Sequence, residues 1–484
     1  MKTPLLCPLF LILAAALGLL QASSAELTIT ELVTINLTGP EDGDEDLSAW
    51  IEIYNSSDED ADLKGWYLTN ENDNLTKWEF PRKKLPAKGY GLVYVSGKES
   101  SNSLFRSDVH TSFKLSLGTE YLALTKPDGV TISHAYEDLP NQRRGFSYGI
   151  TADGEETFFQ TATPLGANQN PLQDFVNDTK FSTDRGFYHE PIQVEITTET
   201  PGATIIYTTS GREPSEGNLF SGVIEHVYDG PITIDKTTVL RAAAFKDGMG
   251  QSNVDTQTYL FTGDVAAQSK MQTSVTESDV WGPQMDDALK AIPSISIVID
   301  DDEHLVKRGQ GQSRFNGVAI NDYESKISVE WLNGDGSKGF QVDAGVSRFG
   351  GYYTDHTKYS YRLQFRKEYG TSTLKYPVFR GHESGVAPVE EFDSLNLRSG
   401  SHDMKQRGAY LSNRFVDDTM LEMGGIAPHG RFVHVYINGN YNGQYHLRER
   451  WNAAMHASYF GGNEEDYDAI NRNDNFTNDA KAFD

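Results

Sequence analysis

Period-two alternation of apolar and polar positions dominates the first half of the chain. Trp50-Ile51-Glu52-Ile53-Tyr54 alternates and stops at the turn Asn55-Ser56-Ser57. Leu63 to Leu68, Tyr90 to Val95, Phe113 to Ser116 and Tyr121 to Leu124 follow, and Pro127-Asp128-Gly129 is another turn. Short strands broken this way by Gly, Pro, Asn and Asp, with no helical period, predict a β-sandwich over 26–170. Thr204 to Thr208, Ile232 to Ile234 and Thr238 to Phe245 predict a second all-β unit over 178–262. The stretch 263–291, rich in Gln, Thr and Ser, reads as a linker.

After residue 292 the pattern changes. Ile292 to Ile299 is a strand stopped by the acidic turn at Asp300, and Ser328 to Trp331 with the turn Asn333-Gly334-Asp335-Gly336 predicts a hairpin. From Lys358 to Arg366 the period is two: Tyr359, Tyr361, Leu363 and Phe365 share an apolar face, while Lys358, Arg362 and Arg366 put three cations on the other. Such a row in an acidic protein suggests an anionic ligand. Leu411, Phe415, Thr419 and Met423 recur four apart and end at Gly424-Gly425, and Trp451, Met455 and Tyr459 repeat the stripe before Gly461-Gly462. Between these helices, Ala427 to Arg450 is two strands joined by Asn438-Gly439, with Gly443 marking a bulge or a close backbone approach. The expectation for 292–484 is an α+β unit.

Composition narrows the functions. With 484 residues the chain has room for about three domains. A balance of 42 basic against 69 acidic residues, net −27, argues against nucleic-acid binding. Lys2, the apolar run Leu5 to Leu20 and Ser23-Ser24-Ala25 predict a signal peptide over 1–25, cleaved after Ala25. The expected destination is secretion or the cell surface, with no membrane span in the mature chain. Cys7, the single cysteine, falls in the segment to be removed, so neither a disulfide nor a cysteine metal site is expected. In the acidic loop Glu41 to Asp46, Gly43 comes too early for an EF-hand, and a solvated loop is the expectation, a looser calcium site staying open. His402, His429, His434 and His446 lack HExxH spacing and read as structural, and no metal-ligand set is expected.

The chain resembles three known families, one in each unit. WIEIYN, LKGWYLTN, HTSFKLSLGTEYLALTKPDG, SYG and TPLGANQ resemble, in order, the lamin tail domain, an immunoglobulin-like sandwich. PGATIIYTTSGREPS, YDGPITI and TTVLRAAAF resemble the immunoglobulin-like domain at the C-terminus of chitobiases and β-hexosaminidases, which implies an accessory module or spacer. IPSISIVID, SVEWLNGDGSKGFQVDAGVSRFGG, YSYRLQFRKEYGTSTLKYPVF, LNLRSGSHD, RGAYLSNRFVDDTMLEMGGIAPHGRFVHVYINGNYNGQYHLRER and YFGGNEEDYDAIN resemble a CotH kinase domain, an atypical protein-kinase-like fold. That resemblance implies ATP with Mg or Mn as cofactor and a secreted or surface protein as substrate. It places Lys358 and Arg362 on the α/β-phosphates, with Asp417, Asp418 or Glu422 as their acidic partner and Arg398 as a further phosphate contact. The glycines from Gly345 to Gly351 approach the phosphates, the hairpin Phe432 to Leu447 backs the adenine, and Glu449 lies near the hinge. The acids that orient the acceptor and hold the metal are expected beyond Asp484, so the unit reads as an incomplete small lobe without turnover. The alternative is a non-catalytic surface or matrix protein that binds protein or glycan through its sandwiches.

Overall fold

The computed structural model describes residues 26–36, 38–98, 108–216, 225–301, 323–349, 358–382, 384–400 and 410–471, with short pieces at 305, 314–315, 318–319 and 475–476. The expected signal peptide, the loop from Gly350 to Asp355 and His402 lie outside these residues.

In the first unit, Leu27–Val33 sits at the centre of a five-stranded antiparallel sheet, between Trp50–Asn55 and Ser147–Ile150. A four-stranded antiparallel sheet contains Trp78–Glu79, Tyr67–Thr69, Leu122–Thr125 and Ile132–Tyr136. Leu27, Ile29, Ile51 and Ile53 from the first sheet and Leu68, Leu122 and Leu124 from the second form one core. Each such side chain, fully buried, stabilises the unit by about 1.5–3 kcal/mol. The second unit has a five-stranded sheet in the order Gly186–Tyr188, Asp255–Phe261, Thr238–Phe245, Thr204–Thr208 and Glu225–Val227, with the pairs Thr179–Phe181/Ile196–Thr198 and Ile192–Val194/Ile232–Ile234 beside it. Val194, Ile196, Leu240, Ala242 and Tyr259 make its core. The mostly β first half, built as two sandwich units, is as the alternation predicted.

The stretch read as a polar linker carries short helices, Thr262–Ala266 and Met285–Lys290. Their Val265 and Leu289 are buried with Leu260 of the second sandwich and with Leu332 and Tyr436 of the third unit, so the stretch packs between the two. Composition hides this, because only one apolar side chain per short helix is needed to anchor it.

The third unit is a seven-stranded closed barrel. Its strands are β1 (Ser294–Val298), β2 (Glu324–Leu332), β3 (Gln341–Phe349), β4 (Ser360–Gln364), β5 (Ser394–Arg398), β6 (Gly430–Ile437) and β7 (Asn440–Glu449). The order is β1-β2-β3-β4-β5-β7-β6, antiparallel except at the seam, where β6 runs parallel to β1. Asn438, at φ 47° in the predicted turn, seals that seam: it accepts from the Ile299 N–H at 2.9 Å and donates to the Ile299 carbonyl at 2.9 Å. The register of β6 on β7 shifts opposite Gly443, whose φ is 108°, as expected of a bulge. Alternate residues, including Ile295, Val329, Val346, Tyr361, Leu363, Leu397, Val435 and Tyr445, fill the interior. Polar residues of the same strands must therefore face outward, since side chains alternate across a strand.

Two outer faces differ. On β2 and β3 the second sandwich covers the barrel. Buried Glu330 accepts from the Thr258 N–H at 3.0 Å and lies 3.4 Å from Arg185. Arg241, 2 % exposed, reaches Asp300 at 2.9 Å and Glu213 at 3.1 Å, and Lys326 joins Glu213 at 2.8 Å and Asp343 at 3.1 Å. On β4, β5 and β7 the outer face is rich in arginine, and against it lies helix α1 (Ser412–Glu422), followed after the hairpin by α2 (Ala453–Phe460).

Candidate functional site

Register fixes the arginine face. Arg362 on β4 stands opposite Asn396 on β5, and Asn396 stands opposite Arg448 on β7. Arg398 and His446 are the next outward pair, and Arg450 follows Arg448 with the same parity. Arg362 is half-buried, its guanidinium 5.6 Å from the Phe349 ring, and its Nε is buried without a partner. Burial, then the Arg450 charge beside it, pushes its pKa down to about 10. Neither Arg398 nor Arg450 makes an ion pair or a side-chain hydrogen bond among the described residues. Asn396 Oδ1 and His446 Nε2 are also buried and unpartnered. Burial, followed by Arg448, Arg414 and Arg398, lowers the His446 pKa to about 3, which keeps its ring neutral. Three of these cations, Arg362, Arg398 and Arg450, have no carboxylate in contact among the described residues and stand beside orphaned polar atoms, which suits an anion.

Helix α1 supplies acids to only part of this face. Asp417 lies 3.2 Å from Arg448, and burial raises its pKa against the pull of Arg448, Arg414 and Arg398. Asp418 pairs with Arg414 of its own helix at 2.6 Å and accepts from Ser384. Glu422 is exposed. The acid of the helix thus meets Arg448, a residue the sequence pattern did not single out, and not Lys358 or Arg362.

The other expected residues scatter. Lys358 donates to the Gln444 carbonyl and lies 4.4 Å from the Tyr445 ring centre, and burial lowers its pKa to about 8. Gly443 makes room for it: a Cβ there would stand 3.3 Å from Lys358 Cδ. Arg366, the third cation of the row, is neutralised by Glu324 at 3.2 Å and Glu368 at 3.6 Å. Glu449 has the opposite parity to Arg448 and Arg450. It is buried, accepting from the His429 N–H at 2.7 Å and the Tyr459 hydroxyl at 2.8 Å, and so ties α2 to the barrel end. The apolar side of the hairpin, Val433, Val435, Ile437, Tyr445 and Leu447, fills the barrel core rather than walling an open pocket. His429, His434 and His446 are all buried, as structural histidines are. Asn396, Arg448 and Arg450 went unnoticed, although LNLRS and LRER carry the same period-two signal as the Lys358 strand. Among the described residues no group of three His, Cys, Asp or Glu is placed to hold a metal ion, and no helix is long and apolar enough to cross a membrane.

The class these features define is a multi-unit β protein in which two sandwiches precede a barrel with an arginine-rich outer face. Comparison with known families sharpens each unit. Residues 21–137 match the Lamin Tail Domain, residues 183–256 the Chitobiase/beta-hexosaminidase C-terminal domain, and residues 346–483 the CotH kinase protein family. The last match begins inside β3, so β1, β2 and the first part of β3 complete the barrel ahead of it. No curated protein matches the chain.

Proposed function

We propose that the barrel unit binds the phosphates of ATP as the nucleotide-holding part of a CotH-type phosphotransferase. The chain is read as exported, acting on a secreted or surface protein, with the two sandwiches as accessory modules. The observation that carries this reading is Arg362, half-buried with an unpartnered Nε and like-charged Arg450 as its neighbour. An arginine held there without a carboxylate costs free energy, and a phosphate group removes that cost by pairing with it. Arg398 and Arg450 extend the cationic strip, and Asn396 offers its amide between Arg362 and Arg448. Arg448 is held by Asp417, so its part is to fix the strip against α1. Mg or Mn, carried in with the triphosphate, would supply neutralisation of phosphate charge. The protein residues bind and orient the phosphate oxygens.

Calorimetric titration of the full chain with ATP and Mg2+ tests the reading. Binding is expected, and Arg362→Ala is expected to weaken it by about tenfold or more, the loss of a charge-assisted pair. Glu422→Ala, on the exposed side of α1, is expected to leave it unchanged. Absence of ATP binding at millimolar concentration, or equal binding by Arg362→Ala, overturns the proposal.

A further inference from the structure

A different region has the marks of a ligand site. Where the first sandwich, the second sandwich and the barrel meet there is a cavity of about 740 Å3 lined by all three. A second cavity, of about 640 Å3, lies between the two sandwiches, and Gln160 and Gln251 line both. The two adjoin across these glutamines as one extended groove. Each is of a size that takes a small ligand, roughly 300–1,000 Å3.

Its chemistry is unusual. Carboxamides recur along the larger cavity: Asn141, Gln142, Gln160, Gln251 and Asn253, with Asn170 added in the smaller one. Gln142 is 6 % exposed, its Nε2 donates to the Pro140 carbonyl at 3.0 Å, and its Oε1 is buried with no partner. Asn253 gives one N–H to Asp178 and also lines the cavity. Phe146 and Tyr369 add aromatic rings to the same lining. The groove has no surplus of either sign: five of its eleven charged side chains are already answered, and Glu120, Glu216 and Asp247 balance Arg144, Lys246 and Lys367. Lys326 is bound by Glu213 and Asp343, Glu368 by Arg366, and the Arg143 guanidinium lies 3.8 Å over the Phe175 ring.

These facts select among ligand classes. A polyanion needs an excess of cations, and an apolar ligand needs an apolar wall. The groove instead offers side-by-side donors and acceptors, since each carboxamide carries both. That is the complement of neighbouring hydroxyls on a sugar ring, and aromatic faces suit the C–H faces of the same ring. An elongated groove suits several rings in a row. We propose that the groove binds a short neutral oligosaccharide, independently of the arginine face of the barrel.

The test uses the full chain on an array of chito-, cello-, malto- and laminari-oligosaccharides, followed by titration with the trisaccharide of the series that binds. The double variant Gln160→Ala/Gln251→Ala is expected to weaken that binding roughly tenfold or more. Both side chains lie at the cavity surface, so its thermal midpoint should match that of the parent. Arg362→Ala is expected to bind the sugar as the parent does. The proposal is overturned if none of the four series binds at millimolar concentration, if the double variant binds equally well, or if Arg362→Ala abolishes sugar binding.

Discussion

Single residues show best what alternation can and cannot convey. Glu52 is a polar position in WIEIYN, and its parity puts it opposite Glu31 on the neighbouring strand, yet both carboxylates are fully buried. The groups facing them are neutral. Thr30 donates to Glu52 at 2.7 Å, Ser147 and the Thr163 N–H donate to Glu31, and the Leu165 N–H donates to Glu52. Together they hold down the loop from Thr163 to Asn168. Burial, countered by those hydrogen bonds and reinforced by Glu31, pushes the Glu52 pKa up from 4.5 to about 7, and the Glu31 pKa is raised as well. A raised carboxyl pKa means that the folded chain binds the proton more tightly than the unfolded one. Its contribution is therefore full below the unfolded value and is lost as pH rises through the folded value. The first sandwich is expected to lose thermal stability between about pH 5 and 7, and Glu52→Gln is expected to flatten that slope in calorimetric scans. A midpoint that rises over this window in the parent would contradict the assignment. The acidic loop gives the same lesson with the opposite sign. Asp42, expected in solvent, is buried and bound by Lys98 at 2.6 Å, with Asp46 at 2.7 Å from the same amine. The sequence shows a run of acids, but their counter-ion stands too far along the chain to be matched with them.

Among the elements, the hairpin and the helix before it were both legible, but not the face that the helix buries. Asn438-Gly439 fixed the turn, and period-two alternation fixed which side of β6 and β7 enters the barrel. For α1 the stripe Leu411, Phe415, Thr419 and Met423 marked an apolar side, but Phe415 is 72 % and Met423 79 % exposed. The buried side holds Arg414 and Leu421, with Asp417 and Asp418 partly covered. The physical reason lies in the surface the helix meets. The outer face of β5 and β7 is arginine-rich, so pairing Asp417 with Arg448 outweighs burying an apolar stripe against cations. An amphipathic pattern states that two faces differ, not which one the protein presents to its neighbour. Phe415→Ser combined with Met423→Ser is accordingly expected to change stability by no more than about 0.5 kcal/mol, as exposed positions do. Asp417→Ala strands a half-buried arginine and is expected to cost on the order of 3 kcal/mol. Urea denaturation of the two variants measures the contrast, and the reverse ranking would show that the stripe is a packed face.

For the whole molecule, three units were readable from strand spacing and family resemblance, but their degree of fusion was not. The second sandwich was expected to be a spacer. It instead shares buried charges with the barrel, and charge partners on separate units leave no local trace in a sequence. Arg241 comes from Thr238–Phe245 of the sandwich, and Asp300 follows β1 of the barrel. Glu213 lies between Arg241 and Lys326 of β2, and its pKa is lowered, burial being outweighed by those two cations. Taking Arg241 out of water is costly, and the network is favourable only while every member is matched. Arg241→Met removes the cation from its two carboxylates, leaving Asp300 with an already raised pKa and no cation in contact. Asp300 is half exposed and Glu213 keeps Lys326, so water screens the charges left behind, and the main loss is the donor to the buried Gly211 carbonyl, expected to cost about 1–3 kcal/mol. Because the broken contacts span both units, the loss should appear in the sandwich and the barrel together, as one calorimetric transition moved to lower temperature. If the variant instead showed a destabilised sandwich beside a barrel melting at the parental temperature, the two would be separate folding units, and the second sandwich would be a spacer after all.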